Sequence, residues 1–368
     1  MPGRPARAGR HLQDTFVGLQ EVLLDAQMVM RQALSLGFDL VGIIAARPPD
    51  TYDRYREWLA QGYHGEMGYL ARPDAVAKRA DLNRILPGVR TVIVVAVNYL
   101  TASPDCSGDP SRGCISRYAW GDDYHDILLA RLRRLAELIE EQVGHAVVGR
   151  AYVDTGPLLE RAMAVEAGLG FIGKNTNLIH PGLGSWLFLG ELLLTVEIPT
   201  SVAAGRKGGC GKCTRCLDAC PTGALIAPYR LDARRCISYL TVENKGPIPD
   251  EMRPLLGNRI FGCDICQEVC PWNRRFARPT DDAAFRPRAE LLAPPLVQLM
   301  ELDDAGFRRL FHGSPIKRAK RRGLLRNVAV ALGNWGDPAA IPVLRRALHD
   351  PEPLIREHAA WALARIGL

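Results

Sequence analysis

No stretch of this 368-residue chain is long and apolar enough to span a bilayer; the best, residues 186–196, carries Glu191 in its middle. The opening tract MPGRPARAGR is basic but leads into no hydrophobic segment, so it reads as a frayed tail and not a secretory signal. Its ten cysteines then belong in a reducing compartment, the cytoplasm, where thiols serve metals more than disulfides. Acidic residues are missing from 306–326, where Arg308, Arg309, Lys317, Arg318, Lys320, Arg321, Arg322 and Arg326 stand without one carboxylate. The whole chain carries a net charge of +7, so these eight charges alone exceed its surplus. That points to a local cationic face rather than a generally basic protein.

What is present describes a soluble globular protein: 47% hydrophobic and 24% charged residues, in a chain long enough for two or three domains. The cysteines supply the chemistry. Cys210-x2-Cys213-x2-Cys216-x3-Cys220-Pro221 has the bacterial ferredoxin spacing for cubane iron–sulfur clusters, in which the fourth thiol ligates the other cluster. Cys263-x2-Cys266-x3-Cys270-Pro271 repeats that run, with Ile260 where its first cysteine belongs; Cys236 is the nearby thiol that completes the count. This assigns Cys210, Cys213, Cys216 and Cys270 to one 4Fe-4S cluster, and Cys220, Cys236, Cys263 and Cys266 to the other. Zinc sites and disulfides also use paired cysteines, but zinc ribbons do not call for the longer run. Cys106 and Cys114 are left over, as spare thiols in a Ser/Gly/Pro-rich loop.

Strands alternate with helices over the first 200 residues, which predicts an α/β or α+β domain. Apolar spacing predicts a helix over 14–36 stopped by Gly37, a buried strand FDLVGIIA, and a second helix over 52–61. The β-branched run TVIVVAVN over 91–98 reads as a central strand, followed by a helix through Glu141 and a strand AVVGRAYVD ending at Asp154. Pro157 is placed to open a helix, and SWLFLGELLLTVEI gives a further strand or bent pair. Gly168, Gly170 and Gly173 match G-x-G-x-x-G, but a helix precedes them and Asn175 stands at the magnesium-binding position, so a nucleotide site is not expected. At the C-terminus, LLRNVAVALGNWGD and LIREHAAWALARIG repeat at a period of 30 residues, pairing Arg326 with Arg356 and Ala329 with Ala359. That is the pattern of a HEAT-like helix pair, with two units that cap onto the rest of the protein. A polycationic loop and helix beside such a face predicts recognition of a phosphate backbone.

The pieces ISRYAWGDDYHD, YVDTGPLLER, AGLGFIGKNTNLI, CGKCTRCLDACPTGAL, LDARRCISYLT, GNRIFGCDICQEVCPWN and GSPIKRAKRRGLLRNVAVALGN together resemble the epoxyqueuosine reductase (QueG) family over nearly the whole length. The resemblance implies an α+β architecture. A nitroreductase-like cobalamin-binding domain would cover 1–200, a ferredoxin-like module with two 4Fe-4S clusters 201–280, and HEAT-like tRNA-binding repeats 281–368. It implies reduction of epoxyqueuosine to queuosine at the tRNA wobble base, by a monomer using cobalamin and an external low-potential electron donor. The family's proton donor falls on Asp154, with its pKa raised by burial so that it stays protonated; on the residues alone the helix cap is the favoured reading of Asp154. Arg117, Tyr118, Lys174, Asn175, Ser185 and Ser238, with Asp154, are the resulting candidates for the cobalamin and base pocket. Lys317, Arg318, Arg321, Arg322 and Arg326 are those for tRNA. The D-x-H-x-x-G cobalamin motif is absent after Asp123, so His125 is expected to be a pocket histidine and not a cobalt ligand. Two rival readings are a reductive dehalogenase-like small-molecule reductase and a ferredoxin-type electron carrier. The first fits poorly with the basic solenoid, the second with a 200-residue domain ahead of the clusters.

Overall fold

The computed structural model describes residues 24–102, 108–202 and 208–367. Helix α1 (Ala26–Ser35) is capped by the Asp25 carboxylate, which accepts from the Gln27 N–H, and it buries Ala26, Val29 and Ala33. The part of the expected first helix that precedes residue 24 lies outside the described residues. Gly37, at φ 88°, then turns the chain into strand β1 (Leu40–Ala45). Strand β2 (Thr91–Asn98) follows, then the long helix α2 (Tyr124–Val143), strand β3 (Gly149–Tyr152), helix α3 (Glu160–Glu166) and strand β4 (Leu187–Leu194).

The four strands form one sheet in the order β1-β2-β4-β3, every pairing antiparallel. Its register sets Ala45 opposite Thr91, Thr91 opposite Leu194, and Tyr152 opposite Glu191. All eight residues of β2 are buried because both faces of the sheet are covered. Ile93, Val95 and Val97 face α1 and α2, while Val92, Val94 and Ala96 face Met163, Ala164 and Ala167 of the α3 region. Hence the sequence shows a continuous apolar run there and no alternation. Gly42 is where the second layer comes closest: a Cβ on it would lie 2.3 Å from the Ala167 carbonyl oxygen.

The C-terminal third is helical: α4 (Lys320–Trp335), α5 (Ile341–Ala347) and α6 (Pro353–Ile366). The 30-residue repeat becomes the α4–α6 packing, with Ala329 and Ala359 both fully buried. Gly333 lets the two helices meet, since a Cβ there would lie 2.7 Å from the Trp361 ring. These helices do not enclose a private core. Leu324, Val328 and Leu332 belong to one cluster with Ile115, Trp120, Ile260 and Phe261 from the earlier parts of the chain. The repeats are therefore built onto the rest of the molecule, as two units too few to stand alone would require.

Two local expectations are corrected, at Pro157 and at Cys114. Pro157 does not open a helix; α3 begins at Glu160 with Leu159 as its N-cap. The intervening chain is taken up by a tight turn, in which the Thr155 N–H donates to the Val153 carbonyl at 2.6 Å. The glycine-rich segment forms a hairpin of Phe171–Ile172 and Leu178–Ile179, so no helix follows it, in keeping with the absence of a nucleotide motif. Cys114 is disulfide-bonded and not a spare thiol, while Cys106 lies outside the described residues. Among the described residues no helix is long and apolar enough to cross a membrane.

Candidate active site and cluster centres

The seven cysteines of the two runs, and Cys236, are free thiols in two groups. Cys210, Cys213, Cys216 and Cys270 line one cavity of about 220 Å³, closed by Lys174, Asn175, Ile179, Pro271 and Trp272. Residue 270 is thus brought some fifty positions back to the first run, as the ligand count anticipates. In the second group, Cys263 and Cys266 lie near Cys236, and Cys236 near Cys220. Burial, then the neighbouring thiols, pushes Cys266 well above the ordinary thiol range; Cys216 is among those neighbours, so the two groups are adjacent. Burial pushes Cys263 up to about 12. Burial would also raise Cys220, but backbone N–H groups of Leu225, Ala224 and Thr222 with the Thr222 hydroxyl bring it below its ordinary value. Four crowded thiols are an unfavourable arrangement for bare protein and a favourable one around iron, whose charge offsets the thiolates.

Several residues expected at a cobalamin pocket make hydrogen bonds beside these thiols. Lys174 donates its backbone N–H to Cys210 Sγ at 3.3 Å and its ammonium to the Gly211 and Cys213 carbonyls. Asn175 donates to the Cys266 carbonyl at 3.3 Å. Ser185 donates to Gln267 Oε1 at 2.9 Å, and Ser238 stands beside Cys236, with its backbone toward the thiol. Arg117 lies over the rings of Trp120 and Trp186, and its backbone N–H donates to Asp264 beside the second group. Sequence patterns show that these residues are polar and near glycine turns; they do not show which of two adjacent ligands each side chain faces.

The second centre is built around Asp154, in the turn after β3. Its φ is 58°, a left-handed conformation that costs a non-glycine residue about 1–3 kcal/mol and recurs at functional sites. Arg318 donates to Asp154 Oδ2 at 2.9 Å, the Tyr124 hydroxyl donates to the same oxygen at 3.1 Å, and His125 Nε2 lies 3.5 Å away. His125 is held from the other side by Asp123, 2.6 Å from Nδ1, and Asp123 also accepts from Lys317 at 2.8 Å. Burial would raise the Asp154 pKa, but the His125 imidazole 3.5 Å away and the charge of Arg318 outweigh it and hold the carboxyl well below its usual range. Burial would likewise lower His125, yet its two carboxylates raise it to about 9. This reverses the expected direction at Asp154: the carboxyl is held ionised and the neighbouring imidazole protonated. Nor is Asp154 a helix cap, since α3 starts six residues later.

Tyr118 packs edge-on against Tyr124 beneath this group. Tyr69 stands at its rim, pushed up to about 12 by burial and by Glu243, yet with 47% of its surface accessible. Behind Asp154 lie Glu160, which drew no attention in the sequence, and Glu191, noted there only as a charge inside an apolar stretch. Glu191 looked like a blemish in an apolar strand, and that blemish was the available signal.

Arg318 therefore pairs with Asp154 while staying accessible to solvent, and it also lies 4.0 Å from Glu243. Arg321 is paired with Asp350 at 2.5 Å. Arg326 is wholly buried, donating to the carbonyls of Leu240, Asn244 and Gly246, so its assignment to an RNA surface is corrected. The acids that neutralise the cationic segment come from remote parts of the chain, which composition over a window does not reveal. Lys320 and Arg322 remain exposed.

Comparison with known proteins bears on this pairing of centres. A model described as Epoxyqueuosine reductase QueG, DUF1730, matches residues 79–155; one described as 4Fe-4S double cluster binding domain matches 209–273, and HEAT repeats match 317–368. An epoxyqueuosine reductase of Pseudomonas aeruginosa is 46% identical over 350 residues, covering 93% of this chain and 94% of that protein. The chain belongs to the epoxyqueuosine reductase family. The Escherichia coli epoxyqueuosine reductase is 44% identical over 345 residues, covering 92% of this chain and 89% of its own length. Among solved structures, an epoxyqueuosine reductase with an epoxyqueuosine-modified tRNA-Tyr stem loop superposes with a TM-score of 0.85 at 35% identity, covering 93% of this chain and 90% of that one. The family is one of oxidoreductases, and the chain carries its double 4Fe-4S domain.

Proposed function

We propose that this chain reduces epoxyqueuosine to queuosine at the wobble base of tRNA, as a cytoplasmic monomer fed by an external low-potential donor. Cobalamin would lie over the recess of Asp154, within residues 1–200; residues 201–280 would relay electrons, and residues 281–368 would hold RNA. The observation that carries this reading is the seating of Asp154, strained and hydrogen-bonded to Tyr124, in a recess bordered by the helical repeats, in a chain that matches reductases along its length.

The residues present fit cobalamin. The rim offers Tyr69, Arg161 and Arg318 to a ring fringed with carboxamides. His125 is engaged at Nδ1 by Asp123 and faces Asp154 through Nε2, so it is not placed as an axial ligand. When bound, the cobalamin would supply the low-valent metal chemistry that opens the epoxide, on electrons from the clusters.

The protein's own task is to deliver protons. Reduction of an epoxide to an alkene takes two electrons and two protons and releases water. His125 holds one proton at neutral pH, and Asp154, 3.5 Å from it, is the group through which that proton reaches the recess. Asp154→Asn retains shape but cannot relay a proton. Turnover of epoxyqueuosine tRNA, followed by nucleoside mass spectrometry, is expected to fall by at least about 100-fold, the lower end for general acid catalysis. Cluster spectra and cobalamin uptake should stay unchanged. A variant that is loaded and folded and turns over normally would remove Asp154 from the chemistry.

A further inference from the structure

Glu191 is the middle residue of a sheet interior, opposite Val94 on one side and Tyr152 on the other, and it is fully buried. Both its carboxyl oxygens are buried without a hydrogen-bond donor among the described residues, and so is Glu160 Oε1. Helix α3 packs against strand β4 and sets the Glu160 side chain beside that of Glu191. Among the described residues no ion pair reaches either of them: the cations beside Glu160 are Arg161, whose guanidinium donates to the Thr176 carbonyl at 2.6 Å, and His125. Two carboxylates in this position cannot both be ionised, because the second charge would meet the first across a dry gap with nothing to offset it. One proton between them satisfies the orphaned oxygens and removes the repulsion together.

The location gives that proton a use. Glu160 opens α3, and its carboxyl faces the backbone N–H of Asp154, the residue held at φ 58°. The charged groups around the pair are Asp154 in the turn after β3, His125 on α2 and Arg161 on α3, with Arg318 beyond Asp154. The proposed reaction consumes two protons, and the His125–Asp154 pair holds one.

We propose that Glu160 and Glu191 form a buried carboxyl pair sharing one proton, and that this pair is the second proton store of the site, recharging Asp154 after the first proton has left. The order follows from charge. Once the His125 proton has passed through Asp154 to the epoxide oxygen, the imidazole is neutral and Asp154 has lost one of its two cationic partners. Its affinity for a proton rises, and Glu160 becomes the donor. The O–H bond of Glu160 breaks as that of Asp154 forms, Asp154 passes the proton on, and water leaves with the epoxide oxygen. Solvent restores both protons after release. Burial, then the charge of Asp154, places Glu160 at about 8, so the store is filled at neutral pH. Glu160 and Glu191 act through Asp154 and are positioning residues.

This inference rests on the proposed reaction, and the experiment separates the two. The full chain, with clusters reconstituted and cobalamin bound, is examined by infrared difference spectroscopy in H2O and D2O across neutral pH. The wild type should show a protonated-carboxyl band that shifts in D2O and titrates near 8. Glu191→Gln and Glu160→Gln should each abolish it. In single turnovers on epoxyqueuosine tRNA both variants should be slower by about 10-fold or more, with the alkaline limb of the pH–rate profile flattened. Cluster spectra and tRNA affinity should remain unchanged. A wild-type spectrum without an exchangeable carboxyl band overturns the pair, whether or not epoxyqueuosine is the substrate. So do Gln variants that keep the wild-type rate and profile. If Glu191→Gln fails to fold, Glu160→Gln and the wild-type spectrum still decide the matter. A wild type that shows the band yet leaves epoxyqueuosine intact overturns the proposed reaction, and with it the use assigned to the stored proton, while the shared proton stands.

Discussion

At Asp154 a left-handed backbone meets a carboxylate gripped by Arg318, Tyr124 and His125, and each grip shows in how the site should titrate. The His125 pKa is raised above its ordinary 6.5 to about 9 in the folded chain, so its protonated form contributes stability. That contribution is fully present below about 6.5 and is lost as pH rises through about 9, where both folded and unfolded imidazoles are neutral. Thermal melts of the wild type and His125→Gln should therefore lie furthest apart near pH 6 and converge above pH 9. A gap that does not change with pH would show that His125 is held by packing alone.

Among the elements, α4 does two jobs that its sequence does not separate. Its basic start looks like an RNA surface, yet Arg326 on its buried side ties Leu240, Asn244 and Gly246 to the repeats, while Asn327 donates to the Thr241 and Ile260 carbonyls. Burial lowers the Arg326 pKa to about 10 but leaves it charged, and its charge is met by carbonyl dipoles. Arg326→Met would strand three buried carbonyls at about 1–3 kcal/mol each. The expected result is a thermal midpoint lowered by several degrees with cluster loss, and no change in the salt slope of tRNA binding. A stable variant with weakened RNA affinity would return Arg326 to the surface. The short cysteine helices are tested separately. Cys270→Ser should damage the cluster held by Cys210, Cys213 and Cys216, whose cavity it lines. Loss of the other cluster, with this one intact and iron falling from about eight per chain to four, would break the assignment.

Across the whole molecule, the cationic segment divides into residues that face Asp123 and Asp154 and residues that face solvent. Reversing Lys320 and Arg322 should weaken tRNA binding and reduce its salt dependence by about one unit of slope per lost phosphate contact, leaving the Asp154 environment intact. Reversing Arg318 should instead alter the pH–rate profile, because it removes the cation that keeps Asp154 ionised. If Lys320 and Arg322 variants bind tRNA as tightly as wild type at moderate salt, the RNA face lies elsewhere on the chain.

The sequence alone determined what depends on local spacing. The cysteine runs and their ligand count, the strand TVIVVAVN, the 30-residue helical repeat and the family motifs are all readable within short windows, because backbone geometry and thiol spacing are themselves local. Tertiary structure decided what depends on partners from afar. The pKa direction at Asp154 reversed because His125 and Arg318, the latter 164 positions away, stand beside its carboxylate. Lys174 and Asn175 were drawn to the cluster cavity and Arg326 into the interior, because folding set carbonyls and thiols against them. The pairing of Glu160 with Glu191 exists only once α3 is laid against β4. A charge in a sequence has no environment until the chain has folded, and its proton affinity is a property of that environment.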